Sequence, residues 1–308
     1  MTAYTGVDKR TSRSPSKRRP AAAAERAAEG AKKAKPTSAA TSSVNKSLLA
    51  WAAAALIAAA AYQMTFLSDF IMWMRRGLNP FPLLDAIHAV AVAYEYRGLA
   101  DKEQSLPQRI IAVCITSLGG TSMGAVILGT PFGWASDNWT LPMYIIAPLI
   151  MELAPGDVVY KCLSIQPVNF LLTLLDDITW GAAITAWGME HALSHKAQTV
   201  NAILVGTLAG CGGGLMQATF SLLKADWKVT TPAAFTTAKA YSFTGPNASF
   251  ACCVLIYLLQ DPHKLLASYG LMLWTPLTQD EGVFAAVCVM CSVATVRGAL
   301  EKSMPHFH

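Results

Sequence analysis

Long uncharged stretches alternate with short polar segments along most of this chain. Four of the stretches contain no Asp, Glu, Lys or Arg, and they cover residues 48–67, 110–136, 197–223 and 240–260. A helix that crosses a bilayer needs about 20 mostly apolar residues, so each stretch is long enough to cross one. The pattern therefore predicts a polytopic α-helical membrane protein.

Four further apolar segments complete the predicted set of about eight helices. They are 82–96 with Asp85 and His88, 138–162 with Glu152, Asp157 and Lys161, 167–189 with Asp176 and Asp177, and a last segment over 282–296. The Ala-rich segment 48–67 leaves three possibilities open, because it could span the membrane, lie along its surface or act as an uncleaved signal anchor.

Glycine clusters recur near the middle of two stretches, in "ITSLGGTSMGAVILG" (115–129) and "VGTLAGCGGGLMQATF" (205–220). If the helices within 82–162 form one triplet and those within 167–260 a second, the odd number of crossings inverts one triplet relative to the other. We therefore expect an all-α polytopic membrane fold of two inverted three-helix repeats plus a final helix, with an extra N-terminal helix. Inverted repeats with glycine-interrupted helices indicate a transport path near the bilayer midplane.

The glycines allow two interpretations. Gly206, Gly210 and Gly214 recur every four residues, which lines one helix face with hydrogen atoms and permits close helix packing. Gly212 and Gly213 lie on other faces. For them we favour a kinked stretch whose carbonyl groups turn toward a water-filled cavity.

Charged residues inside the apolar segments are expensive to insert, so each needs a partner or water. Asp157 and Lys161 are spaced i and i+4 and could form an ion pair, although Lys161 could equally snorkel from a helix end. Asp176 and Asp177 lie about 100° apart on a helix. At least one of them is therefore expected to meet water or a basic side chain such as Lys239.

No combination of these residues predicts catalysis or metal binding. The sequence "PGD" at 155–157 matches only part of an intramembrane aspartyl protease motif, and no second aspartate motif accompanies it. The seven cysteines all fall in apolar stretches, which does not describe a disulfide framework. We therefore expect a protein that is not an enzyme, with no catalytic residues, no metal site and no cofactor.

Charge is distributed unevenly between the start of the chain and the rest. Residues 1–46 carry a net charge of +8, and the remaining residues carry −3. The Ala-, Ser-, Pro- and Lys/Arg-rich composition of 1–46 predicts a disordered cytosolic tail near anionic lipid headgroups. A nucleic-acid or nuclear-import patch and a transit peptide are the weaker alternatives, and we expect no nucleic-acid partner.

Four stretches in order along the chain resemble the trimeric intracellular cation (TRIC) channel family. They are "FPLLDAIHAVAVAYEYRG", "APGDVVYKCLSIQPV", the glycine motif "GTLAGCGGGLMQATF" and "TTAKAYSFTGPNASFACCVLIYLL". The second stretch matches the family's Pro-x-Asp-x-x-Tyr-Lys-Cys segment through Pro155, Asp157, Tyr160, Lys161 and Cys162. The resemblance covers roughly residues 69–296 and divides the chain into a tail (1–46), an extra helix (47–76), a channel domain (80–300) and a C-terminal tail (301–308).

The resemblance implies a homotrimer in the endoplasmic reticulum or a related intracellular membrane. Each subunit would hold its own pore, lined by kinked second and fifth helices, and potassium would flow to balance charge during calcium release. Membrane lipids are the other expected partners, and bound lipid is possible. A secondary transporter and a non-conducting membrane scaffold are the alternatives.

The chain also departs from the family pattern. Basic residues that hold a phosphoinositide headgroup in the family are replaced here by Asp176 and Trp180, and the lysine before the glycine motif is replaced by Ala209. Lys239 is a possible lipid or charge partner. The candidate residues for the ion path are Gly119, Gly120, Gly210, Gly213, Gly214, Asp157, Tyr160, Lys161 and Asp176.

Overall fold

The fold is that of a computed structural model, which describes residues 38–77, 81–236, 245–272 and 274–303. Most of the predicted tail 1–46, the possible partner Lys239 and the last residues of the predicted C-terminal tail lie outside the described residues. The contacts within the chain divide it between Val44 and Asn45, and the compact unit considered below begins at Asn45.

The described residues contain no β-strand, which confirms the predicted all-α class. In chain order the α-helices are α1 (Ser38–Tyr62), α2 (Thr65–Arg76), α3 (Leu83–Leu99), α4 (Leu106–Leu128), α5 (Thr140–Leu153), α6 (Val158–Leu163), α7 (Gln166–Ala182), α8 (Glu190–Ser194), α9 (Thr199–Thr219), α10 (Ala233–Thr236), α11 (Gly245–Gln260), α12 (Leu265–Ser268) and α13 (Gln279–Ser303). A π-helical segment, Ala183–Met189, joins α7 to α8.

Fewer of the described helices than the predicted eight could cross a membrane by length and composition alone. Three of them, α4, α9 and α13, are long and apolar enough. Two more candidates are broken pairs, with a bend of 88° between α1 and α2 and of 90° where α5 ends and the chain continues into α6. The predicted single helix over 47–76 and the predicted single span over 138–162 are therefore each two helices with a sharp turn between them.

The turn after α5 has a local cause in "APGD". Ala154 is extended, and the next residue is a proline, which disfavours a helical conformation in the residue before it. Gly156 and Asp157 then both have positive φ, at 62° and 56°. Two successive left-handed residues cannot continue a right-handed helix, so α6 starts afresh at Val158. We call residues 154–157 the elbow.

The elbow changes the predicted pairing of Asp157. Because Asp157 precedes α6 in a left-handed conformation, it does not stand one turn below Lys161 on a helix. Arg97 of α3 donates instead to the Asp157 carboxylate over 2.9 Å, and the Lys161 ammonium donates to the carbonyl oxygen of Gly156 over 2.8 Å. An ion pair between Asp157 and Lys161, one of the two possibilities left by the sequence, is not formed, and Asp157 contacts another helix instead.

The glycine-rich helix α9 is uninterrupted from Thr199 to Thr219, so the structure shows no break at the predicted kink. A Cβ atom added at Gly212 would lie 2.8 Å from the Cα atom of Gly120 on α4, and one added at Gly213 would overlap the carbonyl oxygen of Thr116. These two glycines therefore serve close packing of α9 on α4, the same role that the spacing predicted for their neighbours.

A second face of α9 packs on the π-helical segment. A Cβ atom at Gly206 would lie 2.8 Å from the carbonyl oxygen of Ile184, and one at Gly210 would lie 2.5 Å from Ile184 Cγ1. On the facing side, a Cβ atom at Gly188 would lie 2.7 Å from the Cα atom of Gly206. The irregular helix is thus the neighbour of the glycine helix and not the glycine helix itself.

The contacts between helices in the first triplet recur between the corresponding helices of the second triplet. In the first triplet α5 packs on α3 and α4, and in the second triplet α11 packs on the π-helical segment and α9. Between the triplets α4 packs on α9 and α3 packs on α7, while α13 packs on α7 and α11. This is the arrangement expected of two three-helix repeats and a final helix.

The N-terminal arm, α1 with α2, is part of the core. Ala50, Ala54 and Ala58 form a buried stripe on one face of α1 because they recur every four residues. On α2, Ile71 and Met74 are buried in one cluster with Leu84 of α3 and residues of α7 and α13. Burial of these apolar side chains fixes the arm against the helices that follow it.

Candidate functional site

A central cavity of about 210 Å³ lies among α3, α4, α5, α7, the π-helical segment and α9. Its lining combines carboxylates, hydroxyl groups, aromatic rings and the main chain of glycine residues. The lining residues are Asp85, His88, Val92, Glu95, Thr116, Ser117, Leu118, Thr121, Tyr144, Asp176, Thr179, Trp180, Ala183, Trp187, Ala209, Gly210, Gly213 and Gly214.

Helix α3 contributes a polar stripe. Asp85, His88, Val92 and Glu95 recur at intervals of three, four and three residues, so they share one helix face, and all of them line the central cavity. Asp85 and His88 were noted in the sequence as polar residues of this segment, but neither they nor Glu95 were predicted as site residues. The signal was present in the sequence, since Glu95 lies two helical turns after His88 on the same face.

Two hydrogen bonds tie this stripe to neighbouring helices. The His88 Nδ1 atom lies 2.7 Å from Asp176 Oδ1 on α7, with 26% of each side chain exposed. The hydroxyl of Tyr144 on α5 donates to Asp85 Oδ1 over 3.3 Å, and the His88 and Tyr144 rings meet edge to face with centroids 6.0 Å apart. Three helices therefore hold their polar groups toward one space.

The wall opposite α3 is formed by α4 and α9. Thr116, Ser117 and Thr121 supply hydroxyl groups from α4. On α9, a Cβ atom at Gly214 would meet no atom within 4 Å, unlike one at Gly213. Gly214 therefore widens the cavity, whereas the adjacent glycine permits helix packing.

A second cavity of about 160 Å³, which we call the side cavity, lies between α3 and α7. Ala91, Tyr94, Glu95, Asn169, Leu172, Thr173 and Asp176 line it. Glu95 and Asp176 line both cavities, so the two spaces adjoin each other at a pair of carboxylate side chains. A small hydrated solute would meet acidic groups at this junction.

The described lining of the central cavity is acidic. It holds the carboxylates of Asp85, Glu95 and Asp176 and a single histidine, with no lysine or arginine among those residues. Low-dielectric walls around charges of one sign concentrate counter-ions. The arrangement therefore favours cations over anions.

The positions at which the family resemblance implies basic residues also line this cavity. Asp176, Trp180 and Ala209 all belong to its wall. The Trp180 indole donates to the hydroxyl of Ser249 on α11 over 3.1 Å. Where the resemblance implies positive charge, this chain has a carboxylate, a hydrogen-bonded indole and a methyl group.

The nine candidate residues divide into three groups. Gly210, Gly213, Gly214 and Asp176 line the central cavity. Gly119 and Gly120 lie in the α4–α9 packing contact, where a Cβ atom at Gly120 would be 2.5 Å from the carbonyl oxygen of Leu208. The remaining three, Asp157, Tyr160 and Lys161, lie at the elbow and on α6.

The group at the elbow is connected to the side cavity through one ring contact. Tyr160 stacks on Tyr94 of α3 with ring centroids 5.1 Å apart, and Tyr94 lines the side cavity. The Tyr94 hydroxyl donates to the Ser164 hydroxyl over 3.3 Å. These contacts place α6, which follows the elbow, beside the side cavity, and none of Asp157, Tyr160 and Lys161 lines the central cavity.

A network of ions holds this end of the bundle, and it is largely buried at Arg109 and Glu152 and partly exposed at Arg97 and Asp157. Arg109 of α4 donates to Glu152 Oε1 over 2.9 Å, and Arg97 Nη1 lies 3.4 Å from Glu152 Oε2. Arg97 also reaches Asp157, so two arginines and two carboxylates join α3, α4, α5 and the elbow. The buried pair of Arg109 and Glu152 is thus compensated within the network, as burial of charge requires.

An all-helical fold with apolar helices, broken spans and an acidic internal cavity is that of a multi-pass membrane protein whose interior suits cations. A family profile described as TRIC channel matches residues 111–271. The chain belongs to the TRIC channel family. The members of this family are channels and not enzymes, which agrees with the expectation from the sequence.

Individual relatives agree with this membership. Over 160 residues the chain is 26% identical to trimeric intracellular cation channel type B of Xenopus tropicalis, and over 159 residues it is 27% identical to type B-A of Xenopus laevis. Each match covers 49% of this chain and 55% of the relative, so the chain spans about half the length of the curated relatives it matches.

Solved structures of similar fold cover more of the chain. A TRIC counter-ion channel whose structure was studied for its activity in calcium release aligns with a TM-score of 0.57 and 18% identity, covering 77% of this chain and 100% of that one. A trimeric intracellular cation channel from C. elegans, solved in the absence of Ca²⁺, aligns with a TM-score of 0.56 and 19% identity over 79% of this chain and 98% of that one. At these low sequence identities, the structural similarity establishes a shared fold and nothing further.

Proposed function

We propose that the protein conducts monovalent cations, potassium among them, through the central cavity and the side cavity of each subunit. The observation that carries the proposal is the junction at which Glu95 and Asp176 line both cavities. A cation that passes between the cavities would exchange part of its hydration shell for carboxylate and hydroxyl oxygens. Transport of this kind is passive and uses no cofactor.

The wider setting is part of the same proposal. Relatives of this chain are named trimeric intracellular cation channels, and one structural neighbour is described as a counter-ion channel in calcium release. For this chain we propose a homotrimer in an intracellular membrane such as the endoplasmic reticulum, surrounded by lipid. Its potassium flux would offset the charge moved by calcium release.

Planar-bilayer recording of the purified protein, with potassium on both sides, tests the conduction proposal. We expect unitary currents, and a potassium gradient is expected to give a reversal potential close to that of a cation-selective pore. A transporter turns over too slowly to give unitary currents, and a scaffold gives no flux. Either of those results contradicts the proposal.

A charge substitution locates the path. Asp176→Asn removes one carboxylate from the junction, and we expect it to lower the unitary potassium conductance by about tenfold at low salt and by less at high salt. Asp226→Asn is the matched control, because Asp226 is an exposed carboxylate in the loop after α9. Equal conductance in both variants would place the path elsewhere.

A further inference from the structure

His88 is the one basic side chain that the described lining places inside the central cavity. Its Nδ1 atom lies 2.7 Å from the Asp176 carboxylate, which is a short contact for a nitrogen and an oxygen. Asp176 lines both cavities, so the imidazole contacts a carboxylate at the junction of the proposed path. A change in the charge of His88 therefore changes the electrostatic potential where the path passes from one cavity to the other.

The other titratable groups that face His88 come from three helices. Asp85 and Glu95 lie on the same face of α3, Asp176 faces it from α7, and the Tyr144 ring packs against it from α5. Helices α4 and α9 contribute hydroxyl groups, Leu118, glycines and an alanine to the lining. The residues that line the cavity around His88 are thus acidic or neutral, and Arg297 of α13 is a cation that interacts with Glu95 from outside this lining.

Histidine is the side chain whose charge ordinarily changes in the physiological pH range. A protonated His88 would neutralise Asp176 and reduce the net negative charge of the cavity by one. A neutral His88 can still donate from Nδ1 to Asp176 while leaving the carboxylate charge uncompensated. The same hydrogen bond is therefore compatible with two charge states of the path.

We propose that His88 is a proton-sensitive regulator of cation flow, which lowers conductance when it is protonated and paired with Asp176. This inference rests on the proposed function, because it concerns the same cavity. Protons would act on the path directly, through the charge beside the permeant cation, and without a separate regulatory domain.

The direct test is unitary potassium conductance between about pH 5 and about pH 9, a range that brackets histidine titration. For the wild-type protein we expect a fall of about tenfold as pH decreases, which is the lower end of the enrichment that a cleft lined by one charge sign gives. His88→Asn keeps an amide donor for Asp176 and does not titrate in this range. We expect its conductance to stay high and nearly constant down to the pH at which the carboxylates protonate.

His195→Asn is the matched control, because His195 is an exposed histidine that hydrogen-bonds to the His191 backbone outside both cavities. We expect this control to keep the wild-type pH response. An unchanged pH response in His88→Asn, or a wild-type conductance that does not vary with pH, would overturn the inference and leave the conduction proposal standing. An absence of cation current at every pH would overturn both.

A measurement on the wild-type protein alone tests the inference without a variant that could misfold. The reversal potential in a potassium chloride gradient reports the ratio of cation to anion permeability. As the pH falls, loss of negative charge at the junction is expected to lower this ratio. A ratio that stays constant while the conductance falls would show that protons act away from the path, and the inference would then be wrong.

Discussion

Arg109 of α4 donates to Glu152 of α5 over 2.9 Å, with only 7% of the arginine side chain and 13% of the glutamate side chain exposed. The residues are 43 positions apart in the chain. Glu152 also lies 3.4 Å from Arg97, whose other carboxylate partner is Asp157 at 2.9 Å. Arg109 has no other carboxylate partner among the described residues, so the burial of its charge depends on Glu152.

Glu152→Gln tests this dependence. The substitution keeps the shape of the side chain but leaves a buried guanidinium uncompensated, and we expect the free energy of unfolding to fall by about 3 kcal/mol. Glu103→Gln, in the exposed loop before α4, is the control and should be close to neutral. Thermal denaturation in detergent measures both variants, and equal melting temperatures would contradict the expectation.

Two adjacent glycines on α9 are predicted to respond in opposite ways to alanine. A methyl group at Gly213 would overlap the Thr116 backbone, so Gly213→Ala should destabilise the fold by about 3 kcal/mol. At Gly214 a methyl group meets open space, so Gly214→Ala should stabilise α9 by about 0.5–1 kcal/mol, because alanine has the higher helix propensity.

The same pair of variants separates packing from conduction. The methyl group introduced by Gly214→Ala would project into the central cavity. We therefore expect this variant to have a lower unitary conductance although it folds stably. Melting temperature and bilayer recording on the same preparation measure the two effects. If Gly214→Ala conducts as the wild type does, Gly214 does not line the path.

The attachment of the N-terminal arm to the rest of the bundle is predicted to depend on one arginine. Arg75 of α2 lies 2.6 Å from Asp280 of α13 and 3.7 Å from the buried carboxylate of Glu190. Arg75→Ala would leave Glu190 without its cation, and we expect a loss of about 1–2 kcal/mol, since Arg75 is partly exposed.

The neighbouring exposed residue supplies the control for the arm. Arg76→Ala removes the same side-chain type from the same helix end and should have little effect on stability. Limited proteolysis near the turn between α1 and α2 reports whether the arm has loosened. Faster cleavage in Arg76→Ala than in Arg75→Ala would contradict the assigned role of Arg75.

Asp137, in the loop before α5, is predicted to make the fold sensitive to acid. Its carboxylate accepts from the backbone amides of Trp139 and Thr140 over 2.6 and 2.7 Å. Partial burial works to raise the pKa of Asp137, but these hydrogen bonds outweigh it and hold the pKa below its usual range. The stabilisation is therefore present above the ordinary pKa of aspartate and is lost as the pH falls through the lowered pKa.

Asp137→Asn is the variant that checks this contribution. It removes the charge and keeps an acceptor for one amide, and we expect a loss of about 1 kcal/mol near neutral pH. The difference in melting temperature from the wild type should shrink as the pH is lowered past the ordinary range of aspartate, because the wild-type carboxylate is then protonated as well. A difference that is constant with pH would show that the charge of Asp137 is not involved.

The sequence by itself determined the class of the protein. Uncharged stretches of sufficient length, the two glycine clusters and the ordered family motifs are local properties, and they predicted an all-helical channel fold with repeats correctly. They also placed Gly214 and Asp176 among the candidate residues, because a run of glycines and a carboxylate both stand out in an apolar segment.

Only the tertiary structure decided which side chains meet. Whether a glycine of α9 faces α4, the π-helical segment or open space depends on the positions of neighbouring helices, so a hydrophobic pattern could not separate Gly213 from Gly214. The partner of Asp157 changed from Lys161 to Arg97 because two left-handed residues redirected the chain at the elbow. His88 and Asp176 are 88 positions apart, and only the packing of α3 on α7 brings them within hydrogen-bonding distance.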